Sequence, residues 1–263
     1  MNTTIVITGA TRGIGRGLAE SFLKSGCRVV ICGRSESTVR AAVEELAGMF
    51  EPARIAGSAA DVAEYDDLVR LWELAVERYG RVDIWINNAG LGAPSAPFHE
   101  RTPDEIQTLI HSNVIGVMNG SRVAMLGMLA QGGGAIYNME GLGSRGPDVP
   151  GTALYAASKA AVTRFTRILV KDAAGGSVIV GTLSPGMVIT ELFTGPDEAT
   201  MTTAAKRVAN ILADRVETVA PFLAQRVLSN RQHGAHIDWL TGAKIGWRFA
   251  TAAFRRNRHF RVD

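Results

Sequence analysis

The chain has 263 residues, of which 46% are hydrophobic and 20% charged, and its formal net charge is +3. This length and composition predict a folded protein with a substantial core, and the modest charge gives no indication of a nucleic-acid partner. No apolar run is long enough to span a membrane. Cys27 and Cys32 lie in one apolar run, so we interpret them as core residues, not as a disulfide or a metal pair.

Strand-like and helix-like stretches alternate along the chain. Apolar runs predict strands at 3–8, 27–32, 53–58, 82–87, 134–139 and 177–183. Amphipathic stretches predict helices that include 14–25, 36–50, 64–79 and 105–130. This alternation is typical of parallel strands joined by crossover helices, and it predicts an α/β fold with a doubly wound parallel sheet.

The first predicted strand runs into the glycine-rich sequence TGATRGIG. Its glycines permit a tight turn and a close approach of the backbone, and the following helix presents free N–H groups to a pyrophosphate. Glycine turns between strand and helix are frequent, but this position near the N-terminus favours a dinucleotide site. We expect that site to be built by Thr8, Gly9, Thr11, Arg12, Gly13, Ile14 and Gly15.

The end of the second predicted strand indicates which dinucleotide binds. An acidic residue here would hold the ribose 2′-hydroxyl of NAD, but Gly33 occupies that position and Arg34 follows it. Arg12 lies in the glycine turn. Two guanidiniums without a carboxylate favour a 2′-phosphate, so we predict NADPH as the cofactor. The alternative is that either arginine is merely a surface residue.

Tyr155 and Lys159 stand four residues apart in the run LYAASKAAV, which places both side chains on one helix face. A neighbouring ammonium favours the phenolate, so we expect Lys159 to lower the pKa of Tyr155 toward neutrality and to make it a proton donor. The spacing alone is also a common coincidence. His99 and His111 have no partners at metal-ligand spacing, and we expect no metal.

These motifs, in this order, resemble the short-chain dehydrogenase/reductase family. The resemblance covers about residues 3–230 and also rests on Asp61-Val62, NNAG at 87–90, Asn113 in HSNVIG and SPGMVIT at 184–190. It implies a Rossmann-type sheet of about seven strands. We therefore expect a single domain over residues 1–263, and the resemblance implies a homodimer or homotetramer built on helices at 105–130 and 154–172.

The resemblance also implies roles for individual residues. Tyr155 would be the general acid in reduction, Lys159 would bind the nicotinamide ribose, and Asn113 would hold a water in a proton relay. The remaining cofactor contacts would be Asp61 and Val62 at the adenine, and Asn88, Ala89, Gly90, Pro185, Gly186, Val188 and Thr190 along the rest. The segment 187–215 is polar and glycine-interrupted, so we expect it to form a substrate lid, with contacts from Met187 and Leu192.

One position departs from the family pattern. A serine after the fifth strand would help to polarise the substrate carbonyl, but the matching positions are Gly141 or Leu142, which we place among the substrate contacts. Ser144 could reach the site only if its loop bends inward. Glu140 is either a protonated carboxyl that donates to the substrate oxygen or a solvated loop residue. Losing one such donor typically reduces the rate by about two to three powers of ten.

The missing serine points to one branch of this family. IYNMEGLGSRG, DIWINNAG, VVICGRS, LSPGMVITEL and the tail look like the chlorophyll b reductase branch, in which an acidic residue and a glycine replace the serine dipeptide. The implied reaction is NADPH-dependent reduction of the C7-formyl group of chlorophyll b to a hydroxymethyl group. The chain opens almost at once on a strand, so we expect no leader and a cytoplasmic bacterial protein; a plastid location requires that a leader has been removed.

The C-terminal extension, 239–263, is basic and aromatic, with no acidic residue from Trp239 to Val262. Such a segment suits peripheral contact with anionic membrane headgroups, or contact with a flat apolar ligand. The alternative is a helix that packs on the domain or on a neighbouring subunit. Its basic residues Lys244, Arg248, Arg255, Arg256, Arg258 and Arg261 are interleaved with Trp239, Leu240, Ile245, Trp247, Phe249 and Phe254.

Three functions stay open at the level of sequence. The first is an NADPH-dependent reductase of a large apolar aldehyde, with chlorophyll b as the expected substrate. The second is a reductase of another ketone or aldehyde, such as a lipid, quinone or steroid-like compound. The third is a dinucleotide-binding regulatory protein that lost catalysis with its serine, and the intact Tyr155, Lys159 and Asn113 argue against it.

Overall fold

A seven-stranded parallel sheet forms the centre of the computed structural model, which describes residues 2–145, 148–194, 203–252 and 259–260. The strands are β1 (Thr4–Ile7), β2 (Arg28–Gly33), β3 (Ile55–Ala59), β4 (Ile84–Asn87), β5 (Gly134–Met139), β6 (Val178–Ser184), β7 (Val188–Ile189), β8 (Asp214–Arg215) and β9 (His236–Asp238). The sheet order is β3-β2-β1-β4-β5-β6-β9, while β7 pairs only with β8. The predicted doubly wound α/β fold is confirmed.

Helices cover both faces of the sheet. They are α1 (Gly13–Lys24), α2 (Glu36–Met49), α3 (Tyr65–Tyr79), α4 (Pro103–Ile110), α5 (Gly116–Ala130), α6 (Ala153–Asp172), α7 (Glu191–Thr194), α8 (Thr203–Leu212), α9 (Val216–Ser229) and α10 (Gly242–Ala250). Short 3₁₀ turns lie at Pro52–Arg54 and Phe98–Glu100. The six strands predicted from apolar runs all exist, with ends that differ by at most two residues, whereas β7, β8 and β9 are additions.

The core is divided into two layers by the alternation of side chains along each strand. In β1, Ile5 and Ile7 pack in the layer that contains Leu18 and Phe22 of α1 and Leu223 of α9. Val6 points to the opposite face and packs in a second layer with residues of α3 and α5, among them Leu68, Leu71 and Val123. Because both faces are covered, the strands read as continuous apolar runs, which is why the sequence predicts them well.

The long helix predicted over 105–130 is interrupted. Helix α4 begins at Pro103 behind a capping box in which the Thr102 side chain accepts from Glu105 N–H and the Glu105 side chain accepts from Thr102 N–H. A π-helical turn, His111–Ile115, then separates α4 from α5. Turns of this kind are rare and occur frequently at functional sites. Here the turn contains Asn113, one of the predicted site residues.

The direction of strand crossover reverses between β1 and β4, so the carboxyl ends of these strands border a crevice. In open α/β sheets, ligands bind at such a switch point. Predicted site residues follow the carboxyl ends of β1, β2, β3, β4, β5 and β6, and the parallel pairing of these strands brings them to the same side of the sheet. Asn113 lies instead in the π turn, and Tyr155 and Lys159 lie on α6.

No helix in the described part of the chain is long and apolar enough to cross a membrane. After β6 the chain builds the small β7–β8 pair, in which Val188 lies opposite Asp214. A satellite core of Ala209, Ala213 and Phe260 forms beside this pair. Residues 195–202 of the expected lid, and Phe254, Arg255, Arg256, Arg258 and Arg261 of the C-terminal extension, lie outside the described residues.

Candidate active site

The glycine turn after β1 is built for close approach. Gly9 has φ +63° and Gly13 φ +59°, a backbone region that L side chains rarely adopt. A Cβ atom at Gly9 would lie 2.6 Å from Ala89 Cα, and one at Gly15 would lie 2.5 Å from Gly9 O. Side chains at these positions would therefore clash with the loop after β4 or with the turn itself. The glycines thus permit the tight turn at the N-terminus of α1, where free N–H groups suit a pyrophosphate.

Thr8 and Asn88 bind this turn to the end of β4. Thr8 Oγ1 accepts from the backbone N–H groups of Asn88 and Ala89, each at 3.0 Å. Asn88 Nδ2 donates to Thr8 O at 2.9 Å and to Gly9 O at 3.0 Å. Asn88 Oδ1 is buried without a hydrogen-bond partner among the described residues. A buried acceptor left over beside a glycine cradle fits a site completed by a dinucleotide.

The two arginines expected at the ribose phosphate are both accessible. Arg34 is exposed just beyond β2, and Arg12 pairs with Glu191 of α7 in an exposed ion pair. A Cβ atom at Gly33 would lie 2.9 Å from Thr11 Cγ2, so the turn packs closely where a carboxylate side chain would begin. Asp61 accepts from Ala63 N–H at 2.9 Å.

Two more predicted cofactor contacts are packed within the fold. Val62 is buried. Thr190 lies over the turn, because its Cγ2 is 3.6 Å from the position of a Cβ at Gly13.

Tyr155 and Lys159 project from α6 toward the end of β5. Lys159 is buried, its Nζ donates to Met139 O at 3.3 Å, and the same nitrogen lies 5.9 Å from the centre of the Tyr155 ring. Burial raises the pKa of Tyr155 to about 12 and lowers the pKa of Lys159 to about 8. The predicted lowering of the Tyr155 pKa is therefore wrong for the chain alone, because loss of water disfavours the phenolate and also weakens the hold of Lys159 on its proton.

The structure leaves no room for a serine side chain at residue 141. A Cβ atom at Gly141 would lie 2.6 Å from the Tyr155 hydroxyl oxygen and 3.3 Å from Lys159 Cε, so the hydroxyl occupies the space of a side chain. Ser144 does not replace the missing donor. Its Oγ accepts from Gly141 N–H at 3.1 Å and donates to Lys159 O at 3.4 Å, which holds the loop against α6. Leu142 is exposed beside this point.

Glu140 is not a solvated loop residue, because its side chain is only 2% exposed. Its Oε1 lies 3.6 Å from Arg145 Nη2 and has no hydrogen-bond partner among the described residues, while its Oε2 lies 3.7 Å from His236 Nδ1. Burial raises the pKa of Glu140, Asp238 raises it further, and the charges of His236 and Arg145 oppose these effects.

Sequence reasoning missed the partners of Glu140. The signal that could have found His236 and Asp238 is the alternation in HID, which forms β9 and places both residues on one face of the sheet.

Asn113 uses its side chain to connect two elements of the site. It is fully buried, its Oδ1 accepts from Leu91 N–H at 2.7 Å, and its Nδ2 donates to Leu91 O at 2.9 Å and to Ser158 Oγ at 3.1 Å. These bonds hold the loop after β4 against α6. A Cβ atom at Gly90 would lie 3.3 Å from Asn113 Oδ1 and 3.6 Å from Lys159 Nζ, so all three residues meet.

The segment after β6 borders the same crevice. Gly186 has φ +68° and packs against Leu240, whose Cβ would be 2.6 Å from a Cβ at residue 186. Leu192 of α7 lies against the loop after β4, with its carbonyl oxygen 3.0 Å from the position of a Cβ at Gly92. Pro185 and Val188 are buried, and Met187 packs on the satellite core, so of the two expected lid contacts Leu192 is the more accessible.

The described part of the C-terminal extension packs on this segment. Arg248 is buried, with Nη2 2.7 Å from Asp214 Oδ2, and Trp239 Nε1 donates to the same oxygen at 2.6 Å. Lys244 Nζ lies 3.0 Å from the centre of the Trp239 ring. These three residues therefore favour the interpretation of packing on the chain itself, whereas Trp247 is 70% exposed. Among the described residues, no group of three or more His, Cys, Asp or Glu side chains is placed to hold a metal ion.

Comparison with known proteins gives a consistent result. The family model described as short chain dehydrogenase matches residues 3–200. The probable chlorophyll(ide) b reductase NYC1, chloroplastic, of Arabidopsis thaliana is 35% identical over 97% of this chain and 54% of its own length. The chlorophyll(ide) b reductase NOL, chloroplastic, of Oryza sativa subsp. japonica is 37% identical over 98% of this chain and 78% of its own. The chain thus spans about half the length of the first relative.

A solved structure gives the same fold. The 3-ketoacyl-(acyl-carrier-protein) reductase from Brucella melitensis, complexed with NADH, is 26% identical and has a TM-score of 0.78, over 90% of this chain and 96% of that one. These matches agree with the glycine cradle, the parallel sheet and the Tyr155–Lys159 pair. We conclude that the chain belongs to the short-chain dehydrogenase/reductase family of NAD(P)-dependent oxidoreductases.

Proposed function

We propose that the chain is an NADPH-dependent carbonyl reductase acting on a large apolar aldehyde, with the C7-formyl group of chlorophyll b as the first candidate and 7-hydroxymethyl chlorophyll as its product. The observation that carries the proposal is Tyr155 beside Lys159 with Gly141 directly against the tyrosine hydroxyl. Two relatives named as chlorophyll(ide) b reductases, similar over nearly the whole chain, support the choice of substrate.

The cofactor choice rests on charge at the end of β2. Arg34 is exposed there, Arg12 lies in the glycine turn, and Gly33 stands where a carboxylate would select NAD. Guanidiniums pair well with a 2′-phosphate, and a hydrogen bond to a charged group contributes about 1.5–3 kcal/mol. We therefore expect NADPH to bind at least about tenfold more tightly than NADH, as measured by quenching of protein fluorescence.

The residues of the chain would supply the proton and the geometry. A bound NADPH supplies a hydride from its nicotinamide C4. Tyr155, with its pKa raised to about 12 by burial, keeps its proton at neutral pH and can donate it to the carbonyl oxygen. Lys159 would bind the nicotinamide ribose and, with Asn113, return the proton to Tyr155 through water. Asp61, Val62, Asn88, Ala89 and Gly90 would line the cofactor.

Exposed apolar side chains at the crevice suit a large substrate. Leu142 follows Gly141, and Leu192 lies against the loop after β4, so both border the place where a carbonyl would meet Tyr155. Val149 is exposed in the loop between β5 and α6. Exposed apolar groups gathered at a crevice are typical of a site for an apolar ligand.

The test is incubation of the protein with NADPH and detergent-dispersed chlorophyll b. We expect loss of the Soret band shifted by the formyl group and appearance of a hydroxymethyl product by mass spectrometry. Tyr155→Phe should abolish turnover while NADPH still binds. Absence of product from folded, NADPH-binding protein would exclude chlorophyll b.

A second substrate class is supported by a relative named 3alpha-hydroxysteroid dehydrogenase, which is 32% identical over 75% of this chain and 78% of its own length. A panel of steroid, quinone and lipid carbonyl compounds distinguishes it from the first proposal. If Tyr155→Phe leaves the turnover of every substrate unchanged, the assigned chemistry is wrong, and a non-catalytic NADPH-binding protein becomes the better interpretation.

Location and assembly belong to the proposal as well. We expect a homodimer or homotetramer, because large apolar side chains are exposed at Ile115 in the π turn, at Met118, Leu126 and Leu129 on α5, and at Ile168 on α6. We expect a cytoplasmic protein; the relatives named above are chloroplastic. Trp247 and Phe249 on α10 are exposed and suit peripheral contact with a membrane, which flotation with anionic vesicles measures.

A further inference from the structure

A cluster of charged side chains surrounds the buried carboxyl group of Glu140. It consists of Glu140 after β5, Arg145 in the following loop, and His236 and Asp238 on β9. His236 Nε2 lies 2.7 Å from Asp238 Oδ2, and its Nδ1 faces both Thr182 Oγ1 and Glu140 Oε2. The register Thr182↔His236 between β6 and β9 brings these groups to one level of the sheet.

The residues on either side of Glu140 both contact Lys159. Met139 O accepts from Lys159 Nζ at 3.3 Å, and a Cβ at Gly141 would lie 3.3 Å from both Lys159 Cε and Lys159 Cγ. The Lys159 side chain therefore runs past the backbone that carries Glu140. The charge of Glu140 raises the pKa of Lys159, against the larger lowering by burial.

The charged and titratable groups around Glu140 and Lys159 come from three parts of the fold. From α6 come Lys159 and Tyr155, with the Thr163 hydroxyl beside Glu140; from the loop after β5 comes Arg145; from β9 come His236 and Asp238. Among these groups, Glu140 is the anion whose charge opposes the effect of burial on the pKa of Lys159.

We infer that Glu140 is a positioning residue that acts through Lys159. Its buried carboxylate is the counter-charge that keeps the Lys159 amino group cationic. Arg145 and His236 lie beside the two carboxylate oxygens and favour the ionised form of Glu140. This inference rests on the proposed reductase chemistry of Tyr155 and Lys159. It replaces the expectation that Glu140 donates a hydrogen bond to the substrate. Glu140 and Gly141 thus replace the serine pair of the family pattern. Gly141 leaves space for the Tyr155 hydroxyl, and Glu140 stabilises the positive charge of Lys159.

The test compares pH profiles of wild type and Glu140→Gln. We expect the alkaline limb of kcat/KM to move to lower pH by about one unit in the variant, because a neighbouring opposite charge shifts a pKa by about one unit or more. A glutamine amide can still donate a hydrogen bond. If Glu140 served the substrate as a protonated donor, Glu140→Gln would not move the limb to lower pH, because a glutamine amide donates without titrating.

Two further variants separate this effect from a general one. Asp238→Asn removes one negative charge from the same cluster, and we expect its alkaline limb to coincide with that of wild type. Lys159→Arg carries a charge that does not titrate in this range. Placed in the Lys159→Arg background, Glu140→Gln should no longer move the limb. Melting temperatures of all variants check that each is folded.

A second readout needs no carbonyl substrate. The affinity for NADPH, measured by nicotinamide fluorescence, should weaken at a pH about one unit lower in Glu140→Gln than in wild type. If this shift occurs while no carbonyl compound is reduced, the inference about Glu140 holds and the proposed reaction fails. If wild type and Glu140→Gln give superimposable profiles in both measurements, or differ by one constant factor at every pH, the inference is wrong.

Discussion

The hydroxyl of Tyr155 occupies the space that a side chain at residue 141 would need. A Cβ there would lie 2.6 Å from the hydroxyl oxygen, well inside van der Waals contact. Gly141→Ser therefore restores the hydroxyl expected from the family resemblance but displaces the proton donor. Overpacking of this kind costs about 1–3 kcal/mol of stability. A proton donor displaced at the same cost in the transition state would lower kcat by about five- to 150-fold.

Steady-state kinetics on the proposed aldehyde, or on any carbonyl compound that the protein reduces, measure this effect. Gly48→Ser is the matched control, because a Cβ at Gly48 meets nothing within 4 Å and its kcat should equal that of wild type. A Gly141→Ser variant that is faster than wild type would show that the tyrosine can move aside and that the serine is useful.

Lys159 couples the stability of the fold to pH. In the folded chain its pKa is lowered to about 8, whereas the ordinary value is 10.5. Between these values the unfolded chain binds more protons than the folded chain, so the free energy of unfolding rises with pH. Tyr155 acts in the opposite direction only above its ordinary pKa of 10.0, because its folded pKa is about 12.

We therefore expect the free energy of unfolding of wild type to rise between pH 8 and 10 relative to that of Lys159→Met, by about 1–3 kcal/mol. Urea unfolding of both proteins at these two pH values gives the difference, in which the other titrating groups cancel. A difference that is constant or falls with pH would mean that Lys159 keeps its proton in the folded state.

At the scale of elements, the sequence predicts those parts of the fold that carry their own periodicity. Strands β1, β2 and β4 are apolar on both faces and are found without tertiary information. The π turn at Asn113 is not, because HSNVI reads as ordinary helix and its extra residue is fixed by bonds to Leu91 and Ser158, 22 and 45 positions away. Strand β9 has only three residues, so it exists because β6 offers an edge.

His259 and Phe260 are held to the segment expected to act as the lid. Asn210 of α8 donates to Phe260 O at 2.8 Å and accepts from the N–H groups of His259 and Phe260 at 2.7 and 2.8 Å. The Phe260 ring is only 4% exposed and lies 6.3 Å from the ring of Phe193, centre to centre. Phe260 therefore stabilises α7 and α8 from outside the lid sequence.

Phe260→Ala should loosen this segment without unfolding the sheet. Truncating a buried phenylalanine costs about 3–5 kcal/mol, which here falls on a satellite core and not on the main one. We expect faster amide exchange in 187–215 and a KM for a bulky substrate raised several-fold. The half-exposed Phe249 supplies the control, Phe249→Ala, in which exchange should stay as in wild type; equal exchange in all three proteins would refute the anchoring role.

At the scale of the whole molecule, the sheet assembles a site from segments that are distant in sequence. The sequence identifies the glycine turn, Asn113, Tyr155 and Lys159, because each lies in a local motif, and parallel pairing explains why they converge. It does not identify the Glu140–His236 contact, since 96 residues separate the two and only the β6–β9 register joins them. The catalytic roles of Asn113, Tyr155 and Lys159 stay predictions.

The outer face of α5 carries the last expectation, which concerns assembly. Leu126 and Leu129 are each 53% exposed on one side of this helix. Ile168 is exposed on α6, the other helix of the expected interface. Burying such side chains contributes about 25 cal/mol per Å² of apolar surface, so a second copy of the chain is a fitting partner for them.

Leu126→Glu places a charge in that interface, where an unpaired buried charge is strongly unfavourable. We expect light scattering to give a dimer or tetramer for wild type and a monomer for the variant, with unchanged circular dichroism. Met49→Glu makes the same kind of change at an equally exposed apolar residue of α2 and should leave the mass as in wild type. A wild-type monomer would exclude this assembly and leave the apolar face to another partner. A Leu126→Glu oligomer of unchanged mass would place the interface elsewhere.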